Sequence, residues 1–454
     1  MSFFDTLNSS IKAHTHFENS AQRIDGYSIY RSDRFLASFA QQSLSLVEKN
    51  AWKEALHQNA LNAYRLEVSR LPMSSQKSLA AFVNAKTMAS GIIQCSSDLV
   101  DYHAKKEKTH PLNYERIHIN DSYSEVSRFF GLYFITQYLA QPYIDNYQED
   151  MTTLYYRGQT DDSPTQFYQP KQRITLSSQH IKKTLFNAYN NNALGIPVLT
   201  KISLAQLFSH FSPNLSLENN NTSDQIGSPK WGQDGRLWVD TREPRTYTFT
   251  SYTRYKGDVL LQLNYGFWFP ERPAQTGFDI YAGDLDGIIW RVTLDTQGQP
   301  LVYDSIHQCG CYHKVYLLAE TSINTSISSI EPPLYFDIDI DTSLPLTLNT
   351  NSSSHYIVGV SQTDHSNKDS IRYDLTSYDA LSQLIAMGRK KSLFGDDGII
   401  EQSARKERWF LWPLGVVNAG AMRQKGNHAV AFIGRRHFDD AFLWEKLNVR
   451  RNSP

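Results

Sequence analysis

A chain of 454 residues is long enough for two or three hydrophobic cores, at about 150 residues per domain. Apolar residues make up 40% and charged residues 20% of it, which excludes a disordered chain and a bundle of membrane-spanning helices. The 45 basic residues against 46 acidic ones give no net electrostatic reason to expect nucleic acid or an anionic membrane as partner, although local basic runs can still bind anions.

The first part of the chain, residues 1–150, has the apolar spacing of helices. In "DSYSEVSRFFGLYFITQYLAQP", Ser122 and Glu125 have capping-box spacing, and Pro142 is expected to end the helix. The most apolar segment, residues 129–140, is too short to span a bilayer. It predicts a core helix, and no transmembrane segment is expected.

The next part, residues 151–380, consists of short runs of β-branched and aromatic residues that predict a β-rich domain. Its clearest element is a hairpin with strands at 287–294 and 301–307 around a turn that contains Gly298. The expected domains are therefore a helical region at 1–150 and a largely antiparallel sheet at 151–380.

The C-terminal part, residues 381–454, is expected to pack on that sheet. The sequence predicts a helix in "TSYDALSQLIAMGRKK", a strand in "HAVAFIGR" and a final helix in "DDAFLWEKLNVRR". The strand and final helix are expected to return to the sheet because the strand's backbone needs hydrogen-bond partners. The fold class is α+β.

The three cysteines are too few for a disulfide framework of the small secreted kind. The N-terminus has no basic start followed by an apolar run, so no signal peptide is expected. These features predict a cytoplasmic protein. A start codon upstream of the present Met1 would leave an envelope location open.

The stretch "YDSIHQCGCYHKVYL" contains the candidate site, because His307, Cys309, Cys311 and His313 recur at every second residue. On a straight strand the four side chains share a face, but the two histidines then lie roughly 20 Å apart. Gly310 can adopt a positive φ angle and fold the segment back. Such a bend would bring thiolates and imidazoles towards a Zn or Cu(I) ion.

His428, in the C-terminal part, is predicted to complete this site as a ligand or an acid–base group. The predicted metal site therefore consists of Cys309, Cys311, His307, His313 and His428, with zinc or copper as the ion. If the chain is an enzyme, an open fourth position on zinc would activate water and a histidine would carry the proton, so the expected reaction is hydrolysis.

Two other interpretations of the Cys-Gly-Cys pair are open. It can form a strained, readily reduced disulfide and so act as a thiol redox pair, or it can be structural. In the second case the chain is a non-enzymatic envelope or interaction protein whose aromatic-rich sheet binds a protein or small-molecule partner.

A second cluster, Asp279, Asp284 and Asp286 in "GFDIYAGDLDGIIW", contains carboxylates that could hold Ca²⁺. The spacing of the twelve-residue calcium loop is absent, so the pair Asp286–Gly287 is interpreted as a turn.

Three long blocks of the chain, at residues 30–39, 284–313 and 412–440, resemble an uncharacterised family of large bacterial proteins found mainly in proteobacteria. The resemblance covers most of the chain but implies no activity, because none is established for the family. Members of the family often have a lipoprotein-type N-terminus, which this chain lacks.

Overall fold

The computed structural model describes residues 2–106, 112, 116–159, 163–323, 331–362 and 370–451. Its helices are α1 (Phe3–His14), α2 (Arg34–Ala37), α3 (Leu46–Ser69), α4 (Met73–Phe82), α5 (Met88–Lys106), α6 (Glu125–Phe130), α7 (Tyr133–Arg157), α8 (Ser178–Tyr189), α9 (Lys201–His210), α10 (Arg408–Leu411) and α11 (Leu443–Lys446). Among the described residues, no helix combines the length and apolar character needed to cross a bilayer.

The strands are β1 (Gln22–Ile24), β2 (Tyr27–Ser32), β3 (Thr165–Pro170), β4 (Asn214–Glu218), β5 (Ser228–Trp231), β6 (Leu237–Asp240), β7 (Arg245–Tyr255), β8 (Asp258–Arg272), β9 (Gly283–Leu294), β10 (Pro300–His307), β11 (Lys314–Leu318), β12 (Thr321–Ile323), β13 (Leu334–Ile338), β14 (Thr347–Thr350), β15 (Ile357–Ser361), β16 (Ile371–Ser377), β17 (Leu384–Ala386), β18 (Arg389–Lys391) and β19 (Val449–Arg451). The α+β class is therefore confirmed, with a helical N-terminal region and a mostly antiparallel sheet.

One large sheet dominates the fold and curls into a nearly closed barrel. Its strand order is β13-β11-β10-β9-β8-β7-β16-β3-β4-β14-β15, with parallel pairs at β11–β13, β7–β16, β3–β16 and β4–β14 and antiparallel pairs elsewhere. The long meander β7 to β10 is its centre, and the predicted hairpin is confirmed as β9 and β10. Side chains alternate between the barrel interior and the outer face of the sheet.

The barrel interior is a large core to which many strands contribute, including the fully buried residues Phe267, Trp290 and Tyr316. The outer face of β8 places Trp268 in a separate core beneath the C-terminal part of the chain. The N-terminal helices form a third core, which reaches the sheet at Val259. The barrel is therefore packed on both of its faces.

Three expectations for the helical region were wrong. The helix α6 is capped by Ser124, whose side chain accepts a hydrogen bond from the Ser127 amide, so Ser122 does not form a capping box. Pro142 lies inside α7 and does not end it. The apolar segment 129–140 is not a core helix, because most of its large apolar side chains are exposed.

The C-terminal part also differs from expectation. The predicted helix around 377–391 is a 3-10 turn followed by the β17–β18 hairpin, because Met387 and Gly388 both adopt positive φ angles and form a tight two-residue turn. The predicted strand "HAVAFIGR" forms only one bridge, between Ala429 and His437. Side chains donate hydrogen bonds to its backbone carbonyls instead, as the Tyr123 hydroxyl does to the Ala431 carbonyl. The final helix α11 has only four residues.

A buried ion pair joins the β2 strand to the α3 helix. Both guanidinium nitrogens of Arg31 contact the Glu67 carboxylate, at 2.5 and 2.8 Å, and both side chains are fully buried. The Arg31 guanidinium also lies 4.4 Å from the centre of the Tyr64 ring. Removal of one partner would leave an uncompensated charge in the core.

We predict that Glu67→Gln lowers the free energy of unfolding by about 3 kcal/mol, because the Arg31 charge then stays buried without a carboxylate. The control is Arg236→Gln, which removes a pair whose side chains are 69% and 41% exposed and should cost about 1 kcal/mol or less. Urea denaturation of the two variants measures both values. Equal losses would contradict the prediction.

Candidate functional site

The segment from His307 to Cys311 is a tight turn between β10 and β11. The His307 amide donates to the Cys311 carbonyl at 3.0 Å, and the Gly310 amide donates to the His307 carbonyl at 2.8 Å. Gly310 has φ +95°, and a Cβ at this position would lie 2.4 Å from the Ala429 carbonyl oxygen. Only glycine fits here without strain, so the expected bend is present.

This turn brings together the two cysteines of the predicted metal site. The Cys311 amide donates to the Cys309 sulfur at 3.3 Å, and neither thiol is in a disulfide. Cys309 is buried in the apolar core that contains Trp268 and Met422. The adjacent Cys309 thiol and burial raise the pKa of Cys311 well above its ordinary value, which favours thiols over metal-binding thiolates.

The side chains of the three predicted histidine ligands point away from the two thiols. His307 points into the barrel towards Asp286, whereas His313 points to the outer face and contacts Asp304 at 3.0 Å. His428 is buried near Gln308, and its Nε2 atom has no hydrogen-bond partner. The five predicted ligands therefore do not converge. Across the described part of the chain, no group of three or more His, Cys, Asp or Glu residues is placed to hold a metal ion.

The barrel interior instead contains a continuous chain of acidic and imidazole side chains. His307 Nδ1 lies 3.4 Å from Asp286 Oδ1, and Asp286 Oδ2 lies 2.8 Å from His355 Nδ1. His355 Nε2 then lies 3.4 Å from Asp224 Oδ1. Every residue of this relay is at most 4% exposed. We call His307, Asp286, His355 and Asp224 the buried relay.

The relay lies at one end of the barrel. In a pair of antiparallel strands, the start of one strand lies beside the end of the other. Asp286 lies near the start of β9, and His307 ends β10. Asp224 follows β4, and His355 precedes β15. Asp286 is therefore in a strand, paired with Phe269, and its interpretation as a turn residue was wrong.

Hydrogen bonds from the loop around Ser352 and from the segment after β4 hold the Asp224 carboxylate in place. The Asp224 carboxylate accepts hydrogen bonds from the Ser352 hydroxyl, at 2.6 Å, and the Ser353 amide, at 2.6 Å. The amides of Asn220 and Asn221 also donate to it, at 3.0 and 3.1 Å. A carboxylate with this many donors is held in one orientation as an anion.

The backbone around the relay is strained at several residues. Leu285, Tyr312, Ser353 and His355 have φ angles of +58°, +63°, +66° and +53°, in the left-handed region that L residues rarely adopt. Each such residue costs on the order of 1 kcal/mol or more and is retained where the surrounding structure demands it. Strain of this kind concentrates at functional sites.

The two imidazoles of the relay have opposite protonation tendencies. Burial lowers the pKa of His355, but its hydrogen bonds to Asp224 and Asp286 outweigh burial and hold that pKa above 6.5. For His307, burial dominates over the neighbouring Asp286, and the pKa lies below 6.5. His355 thus favours the imidazolium form between two carboxylates, and His307 favours the neutral form.

The two carboxylates of the relay remain ionised. Burial alone would raise the pKa of Asp286, but the adjacent His307 and His355 lower it well below 3.8. The pKa of Asp224 is also lowered, because the hydrogen bonds from His355 and the serine loop overcome burial. The His355 ring stacks on Phe269, with ring centres 3.9 Å apart, and this contact fixes its plane.

A layer of one arginine and three tyrosines, ranging from buried Tyr356 to exposed Tyr281, lies next to the relay. Arg272 donates to the hydroxyls of Tyr312, at 3.3 Å, and Tyr356, at 2.9 Å, and its guanidinium lies 5.3 Å from the Tyr281 ring centre. Its Nε atom has no hydrogen-bond partner, and no carboxylate lies within ion-pair distance of it among the described residues. Tyr312 also packs edge-on against His307. The layer thus presents a cation beside the neutral imidazole.

Two further buried titratable groups lie near this end of the barrel. Burial raises the pKa of Glu407 to about 7, and the positive charge of Arg272 is the largest influence in the opposite direction. Burial lowers the pKa of Lys314 to about 7, and its ammonium donates to the Ile357 carbonyl at 2.7 Å. Groups whose pKa lies near neutrality can exchange protons under physiological conditions.

Comparison with protein-family models, with curated proteins and with solved structures found no match to this chain. The resemblance of its three sequence blocks to a bacterial family therefore stays a prediction.

Sequence reasoning identified one member of the relay as a site residue, His307, and interpreted Asp286 differently. It gave no role to His355, Asp224 or Arg272, because these residues come from separate loops and strands that only the barrel brings together. One usable signal was present: polar residues interrupt otherwise apolar strands near the ends of β8 to β11.

Proposed function

We propose that the chain is a hydrolase whose active site is the relay end of the barrel, acting on a substrate with an anionic group. The observation that carries the proposal is the buried relay, in which the His355–Asp286 hydrogen bond of 2.8 Å is flanked by two contacts of 3.4 Å and the His307 imidazole faces a buried carboxylate. That arrangement is the one used to prepare an imidazole as a general base.

His307 is the proposed general base. Its Nδ1 atom faces Asp286, so its Nε2 atom is the nitrogen left to accept a proton from water. The water oxygen would then attack the substrate's carbonyl or phosphoryl centre, and the protonated ring would return the proton to the leaving group. Asp286 orients the ring and stabilises the imidazolium that forms.

His355 and Asp224 are proposed as positioning residues. His355 Nδ1 lies 2.8 Å from Asp286 Oδ2, and His355 Nε2 lies 3.4 Å from Asp224 Oδ1, so both residues help to hold the Asp286 carboxylate. Arg272 is proposed to bind the anionic group of the substrate. It is half-buried, its hydrogen bonds among the described residues go to tyrosine hydroxyls, and its planar guanidinium is suited to carboxylate or phosphate.

We predict that His307→Asn lowers kcat by about 10²- to 10⁴-fold, because proton transfer by a positioned side chain contributes that much. The assay is hydrolysis of a panel of p-nitrophenyl carboxylate esters and phosphoesters. Activity of the wild type should persist below pH 6.5 and fall only as pH drops through the lowered pKa of His307, when the base becomes protonated.

The matched control is His313→Asn. This histidine is also buried beside a carboxylate, Asp304, but on the outer face of the sheet. It should lose stability while keeping kcat. If the wild type hydrolyses no member of the panel, or if the two variants lose kcat equally, the proposed role of His307 is wrong.

A second candidate function rests on the adjacent thiols of Cys309 and Cys311. The Gly310 turn supports a two-thiolate site for a soft ion such as Cu(I), since thiolates favour Cu(I) and Zn. Two ligands are fewer than the four of a structural zinc site. The raised pKa of Cys311 means that binding would have to displace a firmly held proton.

Elemental analysis separates this candidate from the first. If it holds, purified protein contains stoichiometric copper or zinc, and the double variant Cys309→Ser with Cys311→Ser contains none. A reversible two-thiol change on titration with dithiothreitol would indicate redox chemistry instead. The absence of metal from both proteins would leave the cysteines without a ligand-binding role.

A further inference from the structure

The N-terminal half of α7 lies almost outside the fold. From Leu132 to Tyr143 no residue is buried, although Phe134, Tyr138 and Leu139 are large apolar side chains that are 65%, 73% and 65% exposed. Helices in proteins owe most of their stability to an apolar side that is packed. Here the apolar side faces outwards, which indicates that something else covers it.

Two neighbouring segments extend this exposed apolar region. In α6, Phe129 and Phe130 are 76% and 70% exposed, and in the α10 segment Trp409 and Trp412 are 66% and 43% exposed. The segments are in close contact, because a Cβ on Gly131 would lie 2.4 Å from the Pro413 Cα atom. We call Phe129, Phe130, Phe134, Tyr138, Trp409 and Trp412 the aromatic face.

The aromatic face contains no charge, and charged groups of both signs lie at its edge, where Glu125 pairs with Arg435 and two cations have no acidic partner among the described residues. Residues 129–144 and 409–422 include no charged side chain. At the edge, the Lys406 ammonium lies 5.2 Å from the centre of the exposed Phe278 ring, and the Arg408 guanidinium lies 4.7 Å from that of Trp409. Neither cation has an acidic partner among the residues that the structure describes.

We propose that the aromatic face docks on a bilayer that contains anionic phospholipid. Single exposed apolar residues are ordinary, but a contiguous uncharged group of this kind marks an interaction surface. Tryptophan and tyrosine are the residues that favour the membrane–water interface, and helices that lie in this interface combine an apolar side with flanking Lys or Arg. The unpaired Lys406 and Arg408 complement lipid phosphates.

This surface lies beside the relay end of the barrel. The Glu407 amide, in the chain just before Arg408, donates to the Ile280 carbonyl in the loop that joins β8 to β9. Docking would therefore hold the Arg272 layer close to the membrane surface. The docking proposal stands on exposure and charge alone and does not depend on the proposed hydrolase activity.

The test is flotation of the full chain with vesicles of phosphatidylcholine alone and of phosphatidylcholine mixed with phosphatidylglycerol. The wild type should float with the mixed vesicles and much less with the neutral ones. The double variant Phe134→Ser with Tyr138→Ser should bind at least about tenfold more weakly, since both side chains would lose their apolar burial. The double variant Lys406→Glu with Arg408→Glu should lose the preference for anionic vesicles.

The matched control is Ile385→Ser with Met387→Ser, which removes two apolar side chains that are 62% and 78% exposed in the β17–β18 hairpin. This variant should float like the wild type. Failure of the wild type to float, or equal losses in the control and the Phe134/Tyr138 variant, would overturn the proposal. A wild-type dimer that becomes monomeric in the Phe134/Tyr138 variant would overturn it too, by assigning the face to a second copy of the chain.

Discussion

The pairing of buried charges inside the barrel is the constraint on which the rest of the structure depends. A carboxylate moved out of water costs several kcal/mol unless it is paired and hydrogen-bonded. Asp286 and Asp224 are both almost fully buried, and the imidazole of His355 lies between them. A single imidazolium with two N–H donors can serve both carboxylates, and a neutral ring cannot.

This requirement accounts for several unusual features of the same region. To reach both carboxylates, His355 adopts φ +53°, and the serine loop before it is held against Asp224. The strain is local and is offset by the ionic contacts it permits. Burial lowers the pKa of His307 even beside Asp286, which favours the neutral ring that a general base needs.

Much of the framework could be predicted from local sequence. The β9–β10 hairpin follows from its turn residues and flanking apolar runs, and the bend at Gly310 follows from the freedom of glycine. The direction of side chains could not be predicted at the turn. Alternation along a straight strand would place His307 and His313 on one face, but the turn between β10 and β11 places them on opposite faces.

The other wrong predictions have a common cause, which is that packing against distant parts of the chain overrode local sequence preference. The segment 129–140 has the composition of a core helix, but the fold provides no packing surface for it. In the segment "HAVAFIGR", side chains such as Tyr123 donate hydrogen bonds to backbone carbonyls that would otherwise accept them from a neighbouring strand. Propensity alone contains no information about either environment.

The most direct test of this account is the protonation state of His355, measured by ¹⁵N NMR of histidine-labelled protein across a pH titration. The account predicts that both ring nitrogens of His355 carry protons, with a pKa above 6.5 that falls when Asp224 is replaced by Asn. A neutral His355 ring near pH 6.5, or a pKa that Asp224→Asn leaves unchanged, would contradict it.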